Sequence, residues 1–191
     1  MIVKSFEIKN KKDSNFFLFY GENQGYKNQV INEEFKKKYT EGIYHYEENE
    51  ILNNKERFFT NLLSKSFFEN EKLILVDRAT DKIKELVEEI IEKKVDGVIL
   101  ILNSNSLEKK SKLRSLFEKS KIAVCVPFYE DNNQTLSSIS GQFFRDNKIS
   151  ISQQIINLIV SRCRGDRQNL NSELEKIKSY SQNKNKVEIQ D

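Results

Sequence analysis

The residues whose types and spacing come nearest to a reaction centre are Gly21, Gly25 and Lys27, in the run Gly21-Glu22-Asn23-Gln24-Gly25-Tyr26-Lys27-Asn28. A loop that wraps nucleotide phosphates needs a glycine just before its lysine, so that the backbone can close on the anion. It also needs Ser or Thr just after the lysine to hold magnesium. Tyr26 and Asn28 occupy those two places, and Glu22 adds negative charge where phosphates would lie. Lys27 alone stands where the phosphate-binding lysine belongs, so the run reads as a degenerate nucleotide loop that does not support hydrolysis. Asp77 follows an apolar run, where a magnesium-holding carboxylate would sit, but Arg78 comes next in place of a second acid. The simpler expectation for Asp77 is an ion pair or a helix cap. A phosphoacceptor site would want an acidic pair after the first strand and a lysine after the fifth. Here Glu22 stands alone, and Val126-Pro127 closes the fifth.

A second stretch offers recognition instead of catalysis. Ser66-Phe67-Phe68 sits between charged residues, just ahead of Leu73-Ile74-Leu75-Val76, an apolar run of the kind a buried central strand requires. Two exposed rings would offer a partner about 1.5–3 kcal/mol each, a hot-spot pattern. Helical spacing also carries the apolar set Phe58, Phe59, Leu62 and Leu63 onward to Phe67, which would turn the rings inward. Periodicity leaves both arrangements open.

Composition removes several classes of function. The chain has 191 residues, 32% of them charged, with a net charge of +3, which suits one medium domain with a small second one. No apolar run approaches the ~20 residues that span a bilayer, and the start of the chain lacks a signal peptide's pattern, so a cytoplasmic protein with no membrane partner is expected. Cys125 and Cys163 lie in apolar patterns and read as buried, reduced thiols. With one histidine, His45, there is no zinc constellation, and no metal or cofactor is expected. Lys36-Lys37-Lys38 and Lys109-Lys110 are short enough to be solvated helix faces.

The elements that must position these residues alternate. Phe16–Tyr20, Ile43–Tyr46, Leu73–Val76, Val98–Leu102 and Ile122–Val126 read as strands, the last stopped by Pro127. Helical patterns separate them. Tyr26, Val30, Ile31 and Phe35 form one stripe, and Ile83, Leu86, Val87, Ile90 and Ile91 the clearest other. Asn49 is the expected cap of the helix carrying Phe58 to Leu63, and Ser106 that of the helix through Leu113, Leu116 and Phe117. This alternation predicts right-handed crossovers and an α/β domain over residues 1–128, a five-stranded parallel sheet covered on both faces. From 129 to 191 the pattern turns helical. Leu136 through Phe144 forms one helix. A capping box at Ser150 opens a second, with Ile155, Ile156, Leu158, Ile159 and Cys163 inward, and Asp166 caps a third lined by Leu170, Leu174 and Ile177. This small domain reads as a lid. Val187 and Ile189 begin an apolar-polar pattern without completing it, as a truncated chain would.

The motifs together carry a resemblance. Phe16-Phe17-Leu18-Phe19-Tyr20-Gly21-Glu22-Asn23 resembles the "YLLYGED" opening of the delta subunit of the bacterial DNA polymerase III clamp loader. Ser66 to Val76 is similar to that family's "SLFSEKRLVVL", Gly97 to Leu113 to its "LLILVANKLDKRSKL", and Gly165 to Ile177 to its "GDLRRLENELEKL" lid. The four motifs run in the family's order along nearly the whole chain.

The resemblance implies an AAA+ α/β domain with a P-loop-like sheet and a three-helix lid. It also implies a C-terminal collar domain, which is expected to be missing from a truncated chain. It implies a non-catalytic subunit of the polymerase III holoenzyme without a working ATP site. That subunit binds the sliding clamp (the beta subunit), assembles with other clamp-loader subunits and meets primed DNA within the complex. In the family a Leu-Phe pair enters a pocket of the clamp, a role that carries over to Phe67 and Phe68 with Ser66 beside them, Phe67 replacing the usual leucine. The alternative is an active P-loop AAA+ ATPase of DNA replication, against which Tyr26, Asn28 and Gln168, the last in place of a lid sensor arginine, all argue.

Overall fold

A computed structural model describes residues 1–11, 13–39, 42–64, 71–93 and 95–181. The chain divides into two units, one of Met1–Glu22 with Lys27–Phe128, the other of Asn23–Tyr26 with the chain from Tyr129 onward.

The first unit is built on five parallel strands, β1 (Phe16–Tyr20), β2 (Ile43–Glu47), β3 (Lys72–Asp77), β4 (Val98–Asn103) and β5 (Ala123–Pro127), in the spatial order β2-β3-β4-β1-β5. All five residues of β1 are buried, as an unbroken apolar run demands of a strand covered on both faces. Phe16, Leu18, Tyr20, Ile74, Val76, Leu100 and Leu102 point to one face. There they meet α2 (Glu48–Asn53), α3 (Lys55–Leu63), α4 (Lys84–Lys93) and α5 (Lys112–Lys119). Phe17 and Phe19 point to the other, packed edge-on against Phe35, with Phe128 4.9 Å from Phe19. Phe35 ends a wider π turn, Ile31–Phe35, that continues α1 (Gln24–Val30).

The helices start where local chemistry satisfies their unpaired N–H groups, and three starts differ from the sequence expectation. Asn54, not Asn49, caps α3, accepting from the Arg57 N–H at 3.1 Å, because Glu47 and Glu50 form a capping box of their own that makes α2 a separate short helix. Ser111, not Ser106, caps α5, and Asp81 also accepts from its Lys112 and Leu113 N–H groups. The strand expected from Ile122 begins at Ala123 and includes Pro127, which β5 tolerates at an edge.

The second unit holds α6 (Asn133–Asp146), α7 (Gln153–Cys163) and α8 (Arg167–Ser181) around Leu136, Phe144, Ile155, Ile156, Ile159, Val160, Cys163, Leu170 and Leu174. Leu158 was expected inward and is 40% exposed. Ser152 caps α7, so the box predicted at Ser150 does not open it. Asp166 caps α8 as expected, accepting from Gln168 and Asn169. Cys125 and Cys163 are free and buried, and burial pushes the Cys125 thiol up to about 12.

Candidate functional site: a degenerate nucleotide loop and the flanks of an aromatic pair

The connection after β1 runs toward β2 and the one after β4 crosses the other way to β5, so a ligand crevice belongs above the carboxyl ends of the neighbours β1 and β4. Gly21 has φ +118°, and a side-chain carbon on it would stand 2.2 Å from the Phe128 carbonyl oxygen, so only glycine fits this turn. Its N–H donates to the Asn105 carbonyl. Lys27, fully buried, donates its amine to the Ser104 carbonyl at 2.8 Å instead of facing an open crevice. Burial lowers the Lys27 pKa to about 8, opposed by the charges of Glu22 and Asp77.

Helix α1 begins at Gln24, which leaves only Gly21, Glu22 and Asn23 between strand and helix, too short a span to wrap a phosphate chain. Within the second unit, Asn23 Oδ1 accepts the Tyr26 N–H at 3.0 Å, so a donor that a phosphate would want is already engaged. Asn23 Nδ2 donates to Asp131 at 2.8 Å and to the Tyr129 carbonyl at 2.9 Å. Asp131 takes a bidentate pair from Arg167 at 2.6 and 2.7 Å, and the guanidinium lies 3.8 Å over the Tyr26 ring. Gly25 packs so closely on α8 that a side-chain carbon would stand 2.5 Å from the Gln168 nitrogen. The tyrosine that spoils the loop motif is thus the ring on which Arg167 stacks.

Asp77 ends β3 and accepts from its β4 register partner Asn103 at 2.8 Å, not from a cation or a helix end as the sequence suggested. The two line a cavity of about 240 Å³ with Asn28 and His45, in which the buried Asn103 Oδ1 has no protein partner. Burial and then Lys36 hold the His45 imidazole below its ordinary pKa. Among the described residues no three His, Cys, Asp or Glu side chains gather as metal ligands, and no helix is long and apolar enough to cross a membrane.

Ser66, Phe67 and Phe68 lie outside the described residues, which end at Ser64 before them and resume at Glu71 after them. α3 ends at Leu63, where Ser64 turns to an extended backbone, and Phe67, to which the apolar stripe is expected to run, lies outside the described residues. Phe58 and Leu62 are buried, whereas Leu63 is 52% exposed. Lys72, the first residue of β3, is buried, and its ammonium donates to the Asn61 carbonyl, the Ser64 carbonyl and the Ser64 hydroxyl.

The family model for DNA polymerase III, delta subunit, matches residues 17–128, more than half of the chain. The chain belongs to the DNA polymerase III delta subunit family. No curated protein matches it. Among solved structures this delta-family chain is similar to the Bacillus subtilis DNA clamp loader delta protein, with a TM-score of 0.65 at 11% identity over 95% of its length. It spans 58% of that protein. It is also similar to domain III of the Thermotoga maritima replication initiation protein DnaA, TM-score 0.53 at 13% identity, covering 97% of this chain and 85% of that one. The Thermotoga maritima RuvB Holliday junction branch migration motor aligns with a TM-score of 0.58 at 13% identity, covering 92% and 58%. At such identities these likenesses show the fold alone, an AAA+-like α/β sheet with helices on both faces, followed by helices.

Sequence reasoning singled out Gly21, Gly25 and Lys27 and passed over Asn23, Asp131 and Arg167, which the fold joins in one hydrogen-bonded cluster. The available signal was Arg167 beside Asp166 at the start of a helix, but nothing local ties it to a carboxylate 36 residues earlier.

The buried lysine has a testable consequence. Lys27 titrates near 8 in the fold and near 10.5 when unfolded, so between those values the unfolded chain binds more protons. This group's contribution to stability therefore rises with pH across that window and is at its lowest below about pH 8. Cys125, with its raised pKa, pulls the other way above about pH 9 and acts equally in both proteins compared. Urea titrations from pH 7.5 to 10 are expected to show Lys27→Met losing the upward term relative to wild type, and parallel pH profiles would contradict the assignment.

Proposed function

We propose that this chain is a non-catalytic clamp-loader subunit. It binds the DNA sliding clamp, the beta subunit, through Phe67 and Phe68 with Ser66 beside them, and helps open it for loading on primed DNA. Other clamp-loader subunits supply ATP hydrolysis, in the cytoplasm. The observation that carries the reading is the delta-family match across residues 17–128, a span that contains the aromatic pair. The degenerate loop supports it, because a buried Lys27 and a capped α1 leave no cradle for phosphates. Opening the clamp is a population shift, so the pair must bind the open ring more tightly than the closed ring by the amount it moves the balance.

The division of the chain at residues 128 and 129 into an AAA+-like domain and a lid belongs to the same proposal. Surface plasmon resonance against an immobilised bacterial sliding clamp is the test, with ATP titrated separately. Saturable clamp binding and no micromolar ATP binding is the expected result. Absence of clamp binding overturns the proposal, and micromolar ATP binding would favour the active ATPase instead.

A further inference from the structure

We infer that the cavity between the π turn Ile31–Phe35 and the sheet is a guanine site, in which Asp77 and Asn103 accept the N–H donors of the base and Lys36 meets the phosphate of its nucleotide. The inference goes beyond the clamp-binding reading and does not depend on it.

The inner end of the site is set by the sheet. Asp77 and Asn103 are register partners at the carboxyl ends of β3 and β4, and the Ala79 N–H, donating to the Asn103 carbonyl at 3.0 Å, ties those ends together. Asn103 Nδ2 donates to Asp77 Oδ1 at 2.8 Å, which leaves the other carboxylate oxygen and Asn103 Oδ1 as acceptors. Asn103 is 7% exposed, and its Oδ1 is buried without a hydrogen-bond partner among the described residues. Such an acceptor has given up water and gained nothing in return, which makes it a rare feature of a folded protein. Both residues line the cavity of about 240 Å³. Sites for drug-sized ligands hold about 300–1,000 Å³, so this one has room for a single ring system. Ile31 from the π turn and Leu75 and Ile101 from the sheet are its buried apolar walls, whereas Asn32 and His45, both exposed, stand at the mouth with Lys36.

Charge selects the class of ligand. Asp77 is the one carboxylate among the described residues that line the cavity, and its charge already acts on the Lys27 amine and the His45 imidazole, with Lys36 acting on the same ring. A divalent cation would enter against two lysines, whereas a neutral N–H group meets no such opposition. The inner end calls for two donors side by side. Guanine has that edge, its N1–H lying next to its 2-amino group. Adenine and cytosine place a ring-nitrogen acceptor beside their amino group, and thymine flanks its one N–H with carbonyls, so each would set acceptor against acceptor. Lys36 at the mouth supplies the positive charge that a phosphate outside the cavity requires.

Isothermal titration calorimetry tests the site with guanosine monophosphate (GMP), inosine monophosphate (IMP), adenosine monophosphate (AMP) and guanosine. GMP is expected to bind saturably at one site. IMP, which lacks only the 2-amino group, should bind about tenfold or more weakly, and AMP should show no saturation. Asp77→Asn should weaken GMP binding about tenfold or more, because it sets a donor where the base needs an acceptor. Lys36→Ala should weaken GMP about twofold to fivefold and leave guanosine unchanged. Amide chemical shifts of the wild-type chain locate the ligand without any variant, and those of residues 75–77 and 101–103 should move with GMP. Fluorescence anisotropy with two short single-stranded DNAs, one containing guanine and one of thymine alone, reads the source of the base. Preference for the guanine strand, competed by GMP, makes DNA the source; GMP binding without that preference makes free nucleotide the source, and either supports the site. Absence of saturable GMP binding overturns the inference. So do equal affinities for GMP, IMP and AMP, shifts confined to other residues, or unchanged GMP binding in Asp77→Asn.

Discussion

Phe67→Ala combined with Phe68→Ala is expected to abolish measurable binding to a bacterial sliding clamp while far-ultraviolet circular dichroism and melting temperature stay those of wild type. Burying an aromatic side chain contributes about 1.5–3 kcal/mol, so removing both rings takes away about 3–6 kcal/mol, or two to four decades of affinity. Alanine scans concentrate such losses in a few aromatic anchors, so substitutions at charged neighbours such as Glu71 should change affinity far less. The melting temperature is informative because α3 already ends at Leu63, with Phe58 and Leu62 as its buried residues. A clamp affinity equal to wild type in the double variant would end the wedge reading, and a large fall in melting temperature would mean that the rings belong to the core.

Asp131→Ala is expected to destabilise the helical unit by about 3–5 kcal/mol, the penalty for leaving one member of a buried ion pair uncompensated. The side chains of Asp131 and Arg167 are 6% and 8% exposed, and the guanidinium forks onto both carboxylate oxygens. Without the carboxylate, Arg167 keeps the Tyr26 ring, worth about 2 kcal/mol in a desolvated setting, and Asn23 keeps the Tyr129 carbonyl. A double-mutant cycle with Arg167→Met isolates the pair. The double variant should be more stable than Asp131→Ala, because it no longer buries an unpaired charge. Chemical denaturation followed by hydrogen exchange in α8 reads both quantities. A loss under about 1 kcal/mol for Asp131→Ala would show that water reaches the pair, as it does in exposed ion pairs.

The strands were legible because burial on both faces forces a continuous apolar run, and Phe16–Tyr20, Leu73–Val76 and Val98–Leu102 offer no other reading. Helix starts were less legible. Asn49 and Asn54 are equally good caps by residue type, and the choice fell to Asn54 because β2 runs to Glu47 and a box between Glu47 and Glu50 starts a separate helix first. Leu158 shows the same limit on a helix face. A leucine at a plausible position is 40% exposed because, among the described residues, three helices form the bundle and α7 keeps an outer side.

By itself the sequence determined the order of strands and helices, the departure of Tyr26 and Asn28 from the phosphate-loop pattern, and the family. Each of these depends on residue type and spacing along the chain. Only the tertiary structure decided which partners the buried polar side chains find. Lys27 finds its acceptor 77 residues away, Arg167 its carboxylate 36 residues away, and Lys72 the carbonyls that end the preceding helix. A hydrogen bond or an ion pair is satisfied by any group of the right chemistry at the right distance. Many positions supply such a group, and only the packing of sheet and helices selects one.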